Sequence, residues 1–352
     1  MLRKLTIVTT ALAVSFGSYA QDSTKNATFT LSGSLDAYYR YNFHNAKDSM
    51  RTNNLTSFTN SQNSFELGMA SVKAEASLGK AGMVVDLGFG TRADEFSYVE
   101  YARRSTLSAV KQAYVTFAPS SKVTFTMGKW GTHVGYEVLD AYLNRNYSMD
   151  YMFSYGPFSH TGLKADIVLG SLGLMVGIVN PTDYVSAPFA KKNFIAQLSG
   201  GSKSGKVKAV LNYVGGKDLD DNTINQVDLV VTGTVTDKFS LGYNGSVKSV
   251  KPSNGDADSW WGSAVYLNVD PTSLFGLTLR GEYFSDKKGV AGIGSNIFDA
   301  TLSANFRIDN LTIIPEFRMD AAKDPLFYKN SDTFNPSAKG TGTFILAATY
   351  HF

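Results

Sequence analysis

The side chains in this 352-residue chain best suited to acid–base or metal chemistry are four histidines, His44, His133, His160 and His351. His133 and His160 flank the segment from Val138 to Ser159, so the fold could bring them together, with Glu137 and Asp140 nearby. A structural or catalytic metal would need further ligands at matched spacing. A hydrolase would need a nucleophile or paired carboxylates beside the histidines, and no G-x-S-x-G occurs. The chain has no cysteine, which removes disulfide frameworks, thiolate metal sites, thiol catalysis and lipid attachment to an N-terminal Cys. Its 32 glycines form no phosphate-binding loop. These residues point to no catalytic, cofactor or metal site, and the expectation is that the chain is no enzyme.

The remaining chemistry is charge. Thirty-three Lys and Arg against 30 Asp and Glu give no reason to expect a nucleic-acid partner. The informative property is placement, because charged and small polar residues recur at every second position. In the first such segment Phe29, Leu31, Leu35, Ala37, Tyr39, Tyr41 and Phe43 share one parity. Thr30, Ser32, Ser34, Asp36, Tyr38, Arg40 and Asn42 share the other. A helix scatters these sets around its axis, whereas a strand keeps them on opposite faces. The pattern recurs at 83–89, 123–127, 163–167, 207–213, 227–231, 239–248, 277–283, 298–306, 311–319 and 341–352. It slips once: Phe65, Leu67 and Met69 are apolar on odd positions, then Val72, Ala74, Ala76 and Leu78 on even ones. A β-bulge near Ala70-Ser71 is expected to restore the facing. The pattern is also broken at Val110-Lys111-Gln112 and around Lys129.

About sixteen strands are expected, joined alternately by short turns and by long polar connections. Short turns fall at 79–82, 119–121, 171–173, 236–238 and 309–310; long connections run over 44–63, 91–105, 138–160 and 321–340. That alternation is how an antiparallel up-and-down barrel crosses an outer membrane, with short periplasmic turns and long extracellular loops. A soluble sandwich would also alternate. The aromatic residues decide against it: Tyr39, Phe117, Tyr213, Phe239, Phe275, Tyr283 and Phe317 sit at strand ends on the apolar parity, where headgroup girdles lie.

Residues 1–20 read as a signal peptide, with basic Arg3 and Lys4, an apolar run from Leu5 to Val14, and Ser18-Tyr19-Ala20 at the cleavage site. Residues 21–352 then form the barrel. The last strand ends Thr349-Tyr350-His351-Phe352. Tyr350 and Phe352 resemble the signal that outer-membrane barrels present to their assembly machinery.

The stretch Gly128-Lys129-Trp130-Gly131-Thr132-His133-Val134-Gly135-Tyr136-Glu137-Val138 resembles the OmpL-like β-barrel porin-2 family. So do Asn144-Arg145-Asn146-Tyr147-Ser148, Tyr155-Gly156-Pro157-Phe158-Ser159-His160-Thr161-Gly162 and, upstream, Lys111-Gln112-Ala113-Tyr114-Val115. The motif-level resemblance covers roughly 109–166. It implies a pore in the outer membrane of a Gram-negative, Bacteroidota-type cell, and supplies neither a substrate nor site residues.

A barrel of this size leaves an aqueous lumen, so the expected function is passive diffusion of small hydrophilic solutes or ions. The alternative is a barrel-anchored surface binding or adhesion protein with little conductance. Candidate pore-lining residues are Asp36, Arg40, Asp86, Lys164, Asp166, Lys206, Lys208, Asp228, Lys248, Arg280, Glu282, Asp299, Glu316 and Arg318. Arg280, Asp299 and Arg318 fall on successive strands and could form one ladder. The segment Val138 to Ser159 is either a constriction folded into the lumen, through Tyr142, Arg145, Tyr147, Asp150, Tyr151 and Tyr155, or an extracellular flap. Expected partners are membrane lipid, the assembly machinery and the solute, with homo-oligomerisation left open.

Overall fold

Along Asn296–Ile308 the outward Phe298, Leu302 and Phe306 are 44–50% exposed, whereas Asp299, Thr301 and Ser303 between them are 0% exposed. A water-soluble sheet would show the reverse, so the apolar face meets lipid and the polar face points inward. The computed structural model describes residues 27–46 and 51–352; the expected signal peptide lies outside the described residues.

Sixteen strands form one closed antiparallel barrel in chain order. They are β1 (Ala27–Asn42), β2 (Ser64–Leu78), β3 (Ala81–Phe89), β4 (Val110–Ser120), β5 (Val123–Gly131), β6 (Ser159–Leu169), β7 (Leu172–Val179) and β8 (Asn193–Gly201). The second half is β9 (Val207–Lys217), β10 (Thr223–Thr236), β11 (Phe239–Lys251), β12 (Asp258–Thr272), β13 (Phe275–Ser285), β14 (Asn296–Ile308), β15 (Leu311–Ala322) and β16 (Gly340–His351). β1 pairs with both β2 and β16, which removes every sheet edge. Phe352 closes the seam by exchanging backbone hydrogen bonds with Gly33 at 3.0 and 3.2 Å. Short turns all lie at one end and long connections at the other, as expected. Outward aromatic pairs ring the wall near strand ends: Tyr39–Phe65 at 4.9 Å, Trp261–Tyr283 at 5.4 Å and Phe275–Phe306 at 5.0 Å between centroids.

The expected bulge exists but sits two residues earlier. Asp36 pairs with Met69 and Ala37 with Leu67, so Gly68 is the extra residue. A Cβ on Gly68 would fall 1.8 Å from the Asp36 carboxylate, so only glycine fits here, and Met69 turns inward rather than towards lipid. The broken pattern at Lys111-Gln112 is a second bulge, where both side chains reach Asp86 at 3.2 Å. Strands β7, β8 and β12 show weak alternation for a related reason. Their inward Met175, Val179, Ile195, Trp260 and Tyr266 pack against chain inside the barrel, so the lumen contains its own apolar core.

Candidate functional site: the loop inside the barrel

The chain between β5 and β6, residues 132–158, does not stay at the rim. Asp150 caps a single helical turn, α3 (Tyr151–Ser154), by accepting from the Phe153 amide at 2.6 Å. Tyr147, Met149, Tyr151, Met152 and Phe153 are all buried, and a segment with that much apolar and aromatic surface requires packing partners. It finds them across the lumen, touching inward side chains of β1 and of β8 through β16.

The contacts follow one chemical scheme, in which wall carboxylates accept consecutive backbone amides of the loop. Glu316 on β15 accepts from Tyr147 and Ser148 at 2.7 and 3.0 Å. Glu282 on β13 accepts from Tyr151 and Met152 at 2.7 and 3.0 Å. Asp183, in the next long connection, accepts from Phe158 and Ser159 at 2.8 and 2.7 Å. Asp228 and Asn244 take the Gly135 and Tyr136 amides. Wall arginines serve the loop's carbonyls: Arg280 donates to Ser148 and Arg318 to Met149, both at 2.7 Å. Each pairing satisfies an irregular backbone that water no longer reaches.

The expected ladder is present. Arg280 lies 2.8 Å from Asp299, and Arg318 lies 3.7 Å from Asp299 and 2.8 Å from Asp320. The loop joins it through Glu137, 2.7 Å from Arg280, while the Tyr266 hydroxyl donates to Asp150 at 2.8 Å. Burial beside Asp150 pushes the Glu137 carboxyl up to about 7, with Arg280 opposing the rise.

The sequence-derived pore-lining residues therefore divide. Arg280, Glu282, Asp299, Glu316 and Arg318 point inward but are sealed beneath the loop. Asp36 is buried against Arg92 at 3.6 Å and the Tyr147 hydroxyl at 2.5 Å. Arg40 donates to the Thr52 and Ser61 carbonyls of the first long connection, which also folds inward. Asp86 pairs with Lys111, and Asp228 with Asn212 and Asn244. Lys164, Asp166 and Lys248 keep partial exposure, and Lys208 is exposed on β9. Lys206 lies in the turn preceding β9, outside the wall.

Of the loop residues, Tyr147, Asp150 and Tyr151 are buried at wall contacts; the Tyr151 hydroxyl donates to Asp320 at 2.8 Å. Tyr155 donates to the Leu55 carbonyl, Arg145 bridges to Asp270 on β12, and Tyr142 stacks on His351 at 4.7 Å. Tyr350 and Phe352 face outward. Sequence reasoning missed Arg92, Lys111, Asp183 and Asp320, and left Glu137 as an ordinary loop acid. Lys111 had a visible signal in the broken alternation; the others lie in or beside long connections, where spacing says little.

His133 and His160 do meet, with ring centroids 5.1 Å apart. Their Nε2 atoms face the Tyr213 carbonyl and the Thr132 hydroxyl, and burial pushes His133 down to about 4. Among the described residues no group of three or more His, Asp or Glu is placed to hold a metal.

At the long-connection end lies a cavity of about 410 Å3 whose lining includes Glu95, Tyr98, Tyr155, Asp183, Asp218 and Lys248. On the short-turn side a second cavity, about 290 Å3, lies beneath Tyr136, Glu137 and Arg145.

Solved barrels share the architecture at low identity. An anion-selective porin from Comamonas acidovorans matches with a TM-score of 0.62 at 10% identity, over 93% of this chain and 100% of that one. The outer membrane channel DcaP of Acinetobacter baumannii matches at 0.63 and 13%, over 93% and 98%. A loop-deletion form of the Vibrio cholerae outer membrane protein OmpT matches at 0.60 and 12%, over 93% and 99%. No curated protein matches the sequence. The profile of the family described as "Putative beta-barrel porin-2, OmpL-like" matches residues 28–352. With that match and the closed sixteen-strand barrel, the chain belongs to the OmpL-like β-barrel porin-2 family and is a porin of the Gram-negative outer membrane.

Proposed function

We propose that this porin conducts small hydrophilic solutes passively past a constriction made by residues 132–158, and that it carries out no catalysis. The observation that supports this most directly is the pair of two-amide clamps made by Glu282 and Glu316, which hold the loop across the lumen. On this reading the buried ladder positions the constriction, and the charges that a permeating ion meets are Lys164, Asp166, Lys208 and Lys248. Selectivity follows the charges nearest the narrow ring. Tyr350 and Phe352, exposed at the end of an outward-apolar strand, would address the assembly machinery, and lipid would cover the outer wall. One OmpT structure is described as a trimer form; a homo-oligomer of this chain is part of the same proposal.

Single-channel recording of the mature protein in planar bilayers under a salt gradient tests the reading. Stable steps that grow when residues 138–156 are replaced by a short Gly-Ser link are expected. A folded, heat-modifiable barrel that never conducts, with or without the loop, would overturn it in favour of a surface-anchored binding protein.

A further inference from the structure

The cavity at the long-connection end gathers charge in an unusual state. Its three carboxylates are already engaged by protein. Glu95 accepts from the Phe58 amide at 2.7 Å, and Asp218 accepts from the Asp220 and Asn222 amides of its own turn at 2.9 Å. Asp183 uses Oδ1 for two amides, leaving Oδ2 with one long bond, 3.3 Å, from the Tyr98 hydroxyl. Lys248, projecting from β11 into the same cavity, makes no hydrogen bond and no ion pair among the described residues. It feels Asp183 and Asp218 electrostatically without touching either.

A partly buried ammonium with three donors and no protein acceptor keeps those donors available to an oxygen that enters the cavity. The same lining supplies carboxylate oxygen and the rings of Tyr98 and Tyr155, surroundings that suit an organic cation. The volume lies within the range of small-molecule sites. We propose that this cavity is a solute-recognition site for a small zwitterion, an α-amino acid or short peptide, whose carboxylate accepts from Lys248 and whose ammonium lies towards Asp183 Oδ2 and the tyrosine faces. A pure anion would leave the acidic wall unused, and a pure cation would meet Lys248 unscreened. The inference rests on the porin reading and adds the solute class to it.

The test is calorimetric titration of L-glutamine into the folded mature barrel in detergent micelles, with acetate, ethylammonium and glucose as comparison probes. Saturable binding of glutamine, tighter than any comparison probe, is expected. Lys248→Gln should weaken it roughly tenfold or more, the loss of one charge-assisted hydrogen bond, while Lys248→Arg retains it. Absent binding, equal binding of glucose or acetate, or an unchanged Lys248→Gln variant would overturn the site. Heat-modifiable mobility checks that each variant is folded. Titration needs no ion current: a silent barrel in bilayers would strike the porin reading alone, and a conducting barrel that ignores glutamine would strike this site alone.

Discussion

The inner wall of this barrel uses one polar pattern for two purposes. On β13 to β15, Arg280, Glu282, Asp299, Glu316 and Arg318 are fully desolvated and spend their hydrogen-bonding capacity on each other and on the loop. On β6 and β9, Lys164, Asp166 and Lys208 alternate just as regularly yet remain partly or fully exposed, with Lys164 paired to Asp166 and lying over the Trp130 ring. Inward facing therefore does not mean pore lining. What separates the two regions is whether a loop from another part of the chain covers them, and that coverage converts charges that would act on ions into charges that act on backbone.

The covered region should be most sensitive at Arg280. Arg280→Leu leaves Asp299 and Glu137 buried without their shared cation, a class of change that costs about 3–5 kcal/mol. Denaturant unfolding in micelles should show that loss, and a variant as stable as the parent would mean that the ladder holds nothing. Next comes Glu316→Ala, which orphans the Tyr147 and Ser148 amides at about 1–3 kcal/mol for each unsatisfied group. Here the expected readout is undocking: larger conductance steps, and protease cleavage within 138–156 that the parent resists.

A pH dependence should follow from Glu137. Its folded value is raised from 4.5 to about 7, so docking favours the protonated acid. That contribution is complete below about pH 4.5 and is lost as pH rises through about 7. His133 works in the other direction: with its value lowered from 6.5 to about 4, its neutral ring supports the docked loop above pH 6.5, and that support is lost as pH falls through about 4. Between about pH 5 and 6.5 the two slopes oppose each other, so recorded gating events should become more frequent mainly as pH rises from about 6.5 through 7, and Glu137→Gln should reverse the trend below pH 6.5 by leaving the His133 dependence alone. The smallest structural effect belongs to the exposed side. Lys208→Glu should change stability by no more than about 0.5 kcal/mol while moving the reversal potential towards cation preference. An unmoved potential would place the ion path away from β9.

Most of the barrel was legible because lipid enforces alternation strand by strand. Phe298, Leu302 and Phe306 against Asp299, Thr301 and Ser303 need no information from elsewhere in the chain. Legibility failed where a side chain's environment is set by a distant segment. Met69 carries the apolar parity of Phe65 and Leu67 yet lies inside, because Gly68 yields its space to Asp36. The stretch holding Trp260 and Tyr266 was not among the alternating segments, because loop residues such as Met152 and Tyr136 occupy the water side there. The ladder residues were visible from strand order, since Arg280, Asp299 and Arg318 fall on successive strands; the register sets Arg280 and Arg318 level with Thr301 and Asp299 one inward position away. Their partner Glu137 was not visible, because nothing local links a loop acid to an arginine 143 residues further along the chain.

That separation bears on the order in which the molecule can be built. The loop leaves β5, but its amides are received by Glu282 and Glu316, 131 and 169 residues further along the chain, and the Tyr147 hydroxyl by Asp36, 111 residues behind. An assembly intermediate that has reached only β12 offers the loop Asp36, Asp228, Asn244 and Tyr266 but neither two-amide clamp and no Arg280 or Arg318. Contacts of such long range form late. The lumen is thus furnished after the wall that surrounds it, and the seam between β1 and β16 closes on an interior still being arranged.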